Sequence, residues 1–179
     1  MKVFDKEYEV VPGILTPSEC EDFIKELDKI PGEINPEESR KSFKLVLNPT
    51  SKTAYDFIKK LSERIINLGY SDIAYFVDSE FNCMQEGDSI LTHPDWVGYV
   101  NGNVTVTIVI YLSNLNDYEG GHIEFPDLNV SLRPEQGSIV IFRPVENHAV
   151  AIVTSGIRYT GGMYFSDEII RDANPYNFY

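Results

Sequence analysis

His93-Pro94-Asp95 and, far downstream, His148 are the residues of this chain best suited to hold a metal. The chain has 3 histidines, and two of them fall in this pattern. On an extended strand, residues two apart project from one face, so His93 and Asp95 can reach the same point from one strand end. His148 must then arrive from a different strand. Two imidazoles and one carboxylate on one side of a metal leave its other positions open. Iron accepts that set, and so does catalytic zinc. A second pair, Arg158 and Thr160, repeats the spacing of two. A guanidinium and a hydroxyl on one strand face form a clamp for a carboxylate. This second pair argues for iron with an organic-acid cosubstrate, and against zinc.

Strands must therefore carry both pairs, and the sequence supplies them after residue 70. Segments rich in Val, Ile, Thr, Tyr and Phe, separated by Gly, Pro, Asn and Asp, predict strands at 72–84, 89–94, 103–113, 121–126, 128–133, 137–142, 147–154 and 157–166. Along Val104–Leu112 the alternation puts Val104, Val106, Ile108, Ile110 and Leu112 on one face. Thr105, Thr107, Val109 and Tyr111 take the other, a mixed face suited to line a cavity, from which Tyr111 could add a phenolic hydrogen bond to the clamped carboxylate. Upstream, Thr16-Pro17-Ser18-Glu19 is a helix start with a capping box, followed by Cys20, Phe23, Ile24 and Leu27 at helical spacing up to Pro31-Gly32. Residues 31–42 read as a polar loop. A second helix from about Thr50-Ser51 carries Ala54, Phe57, Ile58, Leu61, Ile65 and Leu68 and stops at Gly69. Helices followed by many short strands predict a mainly β (α+β) fold, a jelly roll with the helices bracing one sheet, and not a βαβ sheet.

The 179 residues suit one domain: a helical bracing region over 1–70, a jelly-roll core over 71–166 and a tail over 167–179. The formal net charge is −13, which disfavours nucleic acids and anionic membranes as partners and favours basic or neutral ones. The first residues lack an apolar signal region and no stretch approaches a membrane span, so a cytoplasmic protein is expected. Cys20 and Cys83 are far apart in the sequence and read as free thiols. Oligomeric state leaves no mark in the pattern.

Taken together, these segments resemble the Fe(II)/2-oxoglutarate-dependent dioxygenases, in particular the prolyl 4-hydroxylase-like branch. Val11–Cys20 is similar to that branch's opening "fLtpeEC". Tyr111-Leu112-Ser113-Asn114 with Glu119–Pro126 resembles its "YLN…eGGe…F" signature. Pro134–Phe142 resembles the strand preceding the distal histidine, and Val153–Thr160 the strand carrying the basic residue. The resemblance implies a double-stranded β-helix with His93, Asp95 and His148 as iron ligands. It also implies Arg158, Thr160 and Tyr111 around the distal carboxylate of 2-oxoglutarate, O2 as co-reactant and ascorbate as reductant. Oxidative decarboxylation to succinate and CO2 would accompany hydroxylation; related halogenases lack the carboxylate that Asp95 supplies. Two features depart from the family pattern. Cys83 and Met84 stand where a cosubstrate-contacting tyrosine is frequent, so either that contact is absent or another residue such as Tyr75 serves. The basic residue is Arg rather than the Lys of collagen-type enzymes.

Other residues carry competing readings. His122-Ile123-Glu124 could pair with His148 as a rival metal set, but that would leave His93 and Asp95 unexplained. Trp96 could wall a substrate groove or simply pack. Gly98–Asn103 could be a lid or a connector, and the aromatic tail Asn174–Tyr179 could dock on the body or on a partner. The activity expected first is hydroxylation of a prolyl residue in a peptide or protein. The alternatives are the same chemistry on a lysyl residue, a free amino acid or another small molecule, or a non-catalytic jelly-roll binding module.

Overall fold

The computed structural model describes residues 3–29, 33–35, 40–43, 52–95 and 104–168. In chain order these form β1 (Tyr8–Val11), α1 (Pro17–Leu27), β2 (Glu33–Asn35), β3 (Arg40–Phe43), α2 (Lys52–Ile66), β4 (Tyr75–Gln85), β5 (Ile90–His93) and β6 (Val106–Tyr111). There follow β7 (Tyr118–Gly120), β8 (Ile123–Phe125), β9 (Val130–Leu132), β10 (Ile139–Phe142), β11 (His148–Val150) and β12 (Val153–Ser166). The major sheet runs β1-β10-β6-β12-β4-β3-β2, with β7 on one end of β12, and the minor sheet runs β5-β11-β8-β9. The paired strands are antiparallel, and the two sheets form a double-stranded β-helix. No helix among the described residues is long and apolar enough to cross a membrane.

The helices cover the outer face of the major sheet. Thr16 Oγ1 accepts the Glu19 N–H at 3.3 Å while the Glu19 carboxylate accepts the Thr16 N–H at 3.0 Å, the reciprocal capping pair that starts α1. Glu19 also ties α1 to α2, accepting from Arg64 at 2.7 and 2.9 Å and from Lys60 at 2.6 Å. Cys20, Phe23 and Leu27 of α1 and Ile58, Leu61 and Ile65 of α2 are buried. They belong to one apolar cluster with Phe81, Ile108, Ile110 and Met163 from the sheet. Phe23 stacks on Phe57 and meets the Phe81 ring edge-on at 4.9 Å. Burial pushes the Cys20 thiol up to about 12, so it is unreactive at neutral pH.

The fold corrects three expectations. Residues 33–35 and 40–42, read as loop, belong to β2 and β3, which pair with each other, and β3 extends the sheet beyond β4. Segments of three and four residues are too short for alternation to mark them, and their strand identity comes from pairing. The strand expected at 147–154 breaks at Ala151-Ile152, where the Ala151 N–H turns to the His122 carbonyl and the Val153 N–H to the Asp88 carbonyl. Val153 and Thr154 therefore open β12. The short strands β1 and β7 were also not anticipated. Trp96, the segment 98–103 and the tail 174–179 lie outside the described residues.

Candidate active site

The inner faces of the two sheets enclose a cavity of about 240 Å³. At its minor-sheet side, β5 and β11 place His93 directly opposite His148. Pro94 has no N–H to continue the ladder, and the chain turns there. Asp95, 8% exposed, is anchored by its own N–H to the Pro144 carbonyl at 2.8 Å. The Asp95 carboxylate oxygens each lie 3.7 Å from an imidazole Nε2, Oδ1 from that of His93 and Oδ2 from that of His148. Ligand atoms of all three residues fall within 4.8 Å of one another. Donors each about 2.1 Å from a shared ion stand roughly 3–4 Å apart, as Asp95 does from each imidazole Nε2.

The backbone sets the histidine tautomers. His93 Nδ1 lies 2.7 Å from the Leu91 carbonyl, and His148 Nδ1 lies 3.0 Å from the Glu146 carbonyl. A carbonyl only accepts, so each Nδ1 carries the proton and each Nε2 presents its lone pair toward Asp95. Burial pushes the His148 imidazole below its ordinary value, against the opposing pull of Asp95. It is therefore neutral at physiological pH, the form that binds metals. The Phe142 ring packs on His148 at 4.7 Å. Among the described residues, this is the cluster of histidine, cysteine and acidic side chains able to hold a metal ion. His122 and Glu124 do not join it: Ile123 between them lines the cavity, so strand alternation turns its neighbours to the opposite face.

The major-sheet side carries the second pair. Arg158 is 1% exposed, and its Nη1 donates to Thr160 Oγ1 at 3.0 Å and contacts Met84 Sδ at 3.5 Å. Thr160 stands opposite Tyr111 in the ladder, and the guanidinium carbon lies 5.4 Å from the Tyr111 ring centre. Arg158, Thr160 and Tyr111 are thus brought together as expected. Its side chain runs across Gly121, where a Cβ would stand 2.7 Å from Arg158 Cδ. The glycine leaves that passage open. Among the described residues no carboxylate pairs with Arg158. Its Nε, the Tyr111 hydroxyl and Thr107 Oγ1 are buried without hydrogen-bond partners. Burial holds the Tyr111 phenol well above the usual tyrosine range, so it remains a donor. A buried cation beside unpaired donors is costly alone and suits an anionic ligand.

The β4 register answers the question left by Cys83 and Met84. Met84 pairs with Arg158 and turns inward to its guanidinium. Cys83 turns outward into the helix-side core. Tyr75 does not serve as replacement: it lies at the far end of β4 and lines a separate groove with Asp72 and Arg143. The cavity wall also includes Glu80, Asn82 and Tyr164, which the sequence reading did not single out. Their signal was the same spacing of two: Glu80 and Asn82 precede Met84, and Tyr164 follows Thr160, on inward positions of their strands.

Comparison with known proteins bears on this arrangement. A family model described as the 2OG-Fe(II) oxygenase superfamily matches residues 79–166, the stretch holding both pairs. A PKHD-type hydroxylase of Nitrosomonas eutropha is 37% identical over 83 residues, which are 45% of this chain and 35% of that protein. A putative prolyl 4-hydroxylase of Acanthamoeba polyphaga mimivirus is 32% identical over 76 residues, 37% of this chain and 31% of that protein. The chain thus spans about a third of the length of these curated relatives. The crystal structure of a viral collagen prolyl hydroxylase from Paramecium Bursaria Chlorella virus-1, in complex with 2OG, superposes with a TM-score of 0.69 at 22% identity. That superposition covers 89% of this chain and 96% of the viral one and shows the shared fold.

Proposed function

Because this chain belongs to the 2OG-Fe(II) oxygenase superfamily, on its prolyl 4-hydroxylase-like branch, we propose that it hydroxylates a prolyl residue in a peptide or protein. The observation that carries the cosubstrate half of this reading is the buried Arg158 guanidinium. It faces the cavity without a carboxylate from the described chain, beside the orphaned Tyr111 hydroxyl. The names of two relatives support the prolyl substrate, one a putative prolyl 4-hydroxylase and one a collagen prolyl hydroxylase.

In this reading His93, Asp95 and His148 hold Fe(II) through two Nε2 atoms and a carboxylate oxygen. Arg158 and Thr160 take the distal carboxylate of 2-oxoglutarate, with the Tyr111 hydroxyl as a further donor. When bound, the metal and the keto acid supply the oxidising chemistry, in which O2 converts 2-oxoglutarate to succinate and CO2 and leaves one oxygen atom on a substrate carbon. The chain's own residues orient and exclude. The backbone carbonyls of Leu91 and Glu146 keep both imidazoles in the ligating tautomer. Asp95 supplies the only negative charge of the triad and so lowers the net charge of the loaded centre. Met84, Ile90, Val150 and Val153 form an apolar cluster, with Met84 against Arg158. That cluster keeps water from the guanidinium and strengthens its hold on an anion. The cavity of about 240 Å³ falls below the roughly 300–1,000 Å³ of sites for drug-sized ligands. It suits a small diacid and one reacting side chain, with the rest of a peptide outside.

The test is succinate formation from 2-oxoglutarate with Fe(II), ascorbate and O2, alone and with a panel of proline-containing peptides. Substrate-stimulated succinate and a peptide gaining one oxygen atom are expected, and His93→Ala should abolish both. Activity that survives His93→Ala would overturn the assigned ligand set. Failure of the wild-type protein to bind 2-oxoglutarate would instead make this a jelly-roll binding module.

A further inference from the structure

We infer that Thr107 receives the hydroxyl group that the reaction leaves on the product: its Oγ1, on the metal side of the cavity, hydrogen-bonds the new oxygen, so that a hydroxylated ligand binds more tightly than the unmodified one. The inference rests on the proposed function above, since it assigns one more contact in the same cavity.

Thr107 stands in β6 between Phe142 of β10 and Tyr164 of β12. The Phe142 ring packs on the His148 ring at 4.7 Å, so this row of the major sheet adjoins the metal ligands. Thr107 is 1% exposed and lines the cavity. Its Oγ1 is buried and bonds nothing among the described residues. Thr105, two residues earlier, provides the contrast, because its Oγ1 donates to the Asp72 carbonyl at 2.6 Å. Valine has the shape of threonine without the polar atom, and a buried hydroxyl left unbonded destabilises the fold. Packing alone therefore gives no reason for a threonine at 107.

The cosubstrate does not supply the missing partner. The row of Tyr111 and Thr160 lies four residues away along β6, roughly 13 Å at strand rise. A five-carbon diacid spans no more than two extended residues, roughly 7 Å, so one held at that row ends short of Thr107. The hydroxyl is left to the substrate. An unmodified prolyl ring does not satisfy it either, because the ring carbons carry no donor or acceptor and the ring nitrogen has no N–H. The flanking peptide stays outside a cavity of about 240 Å³. Once oxygen has been added to the ring, a hydroxyl group stands there that both donates and accepts, as the threonine hydroxyl does. The substrate thus enters with Thr107 unpaired and the product leaves only after breaking a hydrogen bond to it. Product dissociation is slowed relative to that of the substrate.

The test uses the full chain loaded with Ni(II) in place of Fe(II) and saturated with 2-oxoglutarate, so that binding is read without turnover. Calorimetry compares each proline peptide of the panel with the same peptide carrying trans-4-, cis-4- or trans-3-hydroxyproline at that position. Wild-type protein should prefer one hydroxylated form over its proline counterpart by roughly three- to tenfold. Thr107→Val should bring that ratio to one or below while leaving 2-oxoglutarate affinity and the melting temperature undiminished. Thr107→Ser, which restores the hydroxyl, should keep the preference. Equal binding of proline and hydroxyproline peptides by wild-type protein overturns the inference, and so does a preference that survives Thr107→Val. Loss of the preference in both variants assigns it to the shape of the side chain and overturns the hydrogen bond. If no peptide of the panel binds at all, the prolyl substrate of the proposed function falls together with the inference. If proline peptides bind but no hydroxylated form is preferred, only the inference falls.

Discussion

On the helix side of the major sheet, Phe81, Ile108, Ile110 and Met163 are fully buried and meet only apolar partners in the cluster formed with α1 and α2. On the cavity side of the same strands, Thr107, Tyr111 and Arg158 are almost as deeply buried, yet each leaves a polar atom without a partner. The strands are shared and the burial is alike, so only the alternation of side chains separates the two environments. Burial on the helix side stabilises the fold. Burial on the cavity side works against it until a ligand supplies the missing partners. The difference locates the functional face without reference to any motif: it is the face whose polar groups remain incomplete.

Phe81→Ala should have the largest effect on stability. It removes a ring packed edge-on against Phe23, and large-to-small changes of this kind cost about 3–5 kcal/mol. Urea unfolding should show that loss, while 2-oxoglutarate affinity of the folded fraction stays near wild type. Arg158→Met should do the reverse. Losing a buried charge partner should weaken 2-oxoglutarate binding by about 2–5 kcal/mol. Removing an unpaired buried cation should leave the ligand-free protein as stable as before, or more so. If Arg158→Met instead unfolds more easily, the guanidinium is part of the structural core and the contrast between the faces fails.

Much of this contrast was legible in the residues. A spacing of two means one face in any strand, so His93 with Asp95 and Arg158 with Thr160 could be paired before any partner strand was known. The alternation over 104–112 separated the two faces of β6 correctly, with Val106, Ile108 and Ile110 on the helix side and Thr107 and Val109 on the cavity wall. The α1 capping pair was equally local. What remained hidden depended on register between strands. Whether Cys83 or Met84 faces the cosubstrate end is decided by the β4–β12 ladder, and a slip of one residue would exchange them. The inward placement of Glu80 follows from the same ladder. The strands β1, β2, β3 and β7 are three or four residues long, too short for alternation to register, and exist because a neighbour offers an edge.

Acid should separate the two regions by pH. His148 on the cavity side has its pKa depressed by burial from the ordinary 6.5. The unfolded chain then binds more protons than the folded one, so metal-free protein should lose stability as pH falls from about 6.5 through the folded-state value. Glu19 on the helix side is held below its ordinary 4.5, first by Arg64 and then by Lys60. Its contribution is present above that value and lost at still lower pH. Thermal midpoints followed from pH 7 downward should therefore fall in two stages. His148→Gln should flatten the first and Glu19→Gln the second. A single stage insensitive to His148→Gln would remove the cavity side from the acid response.

Tyr111→Phe probes the smallest difference and bears most directly on the comparison. The ring is 2% exposed and packs with Val140 and Phe142, and phenylalanine preserves that packing. Only the hydroxyl, which has no partner, is lost. A buried hydroxyl that bonds nothing contributes no stability, so Tyr111→Phe should melt at or slightly above the wild-type temperature. If the same hydroxyl completes the carboxylate site, 2-oxoglutarate should bind more weakly by about 0.5–1.5 kcal/mol, a few-fold in Kd. Both measurements are needed, because either alone has a purely structural explanation. Unchanged stability with weaker binding assigns the hydroxyl to the ligand. Unchanged binding would mean that Arg158 and Thr160 hold the carboxylate without it and that its lack of a partner persists in the bound state. Lower stability would mean that Tyr111 belongs with Phe81 and Ile108 among the residues whose burial is already complete.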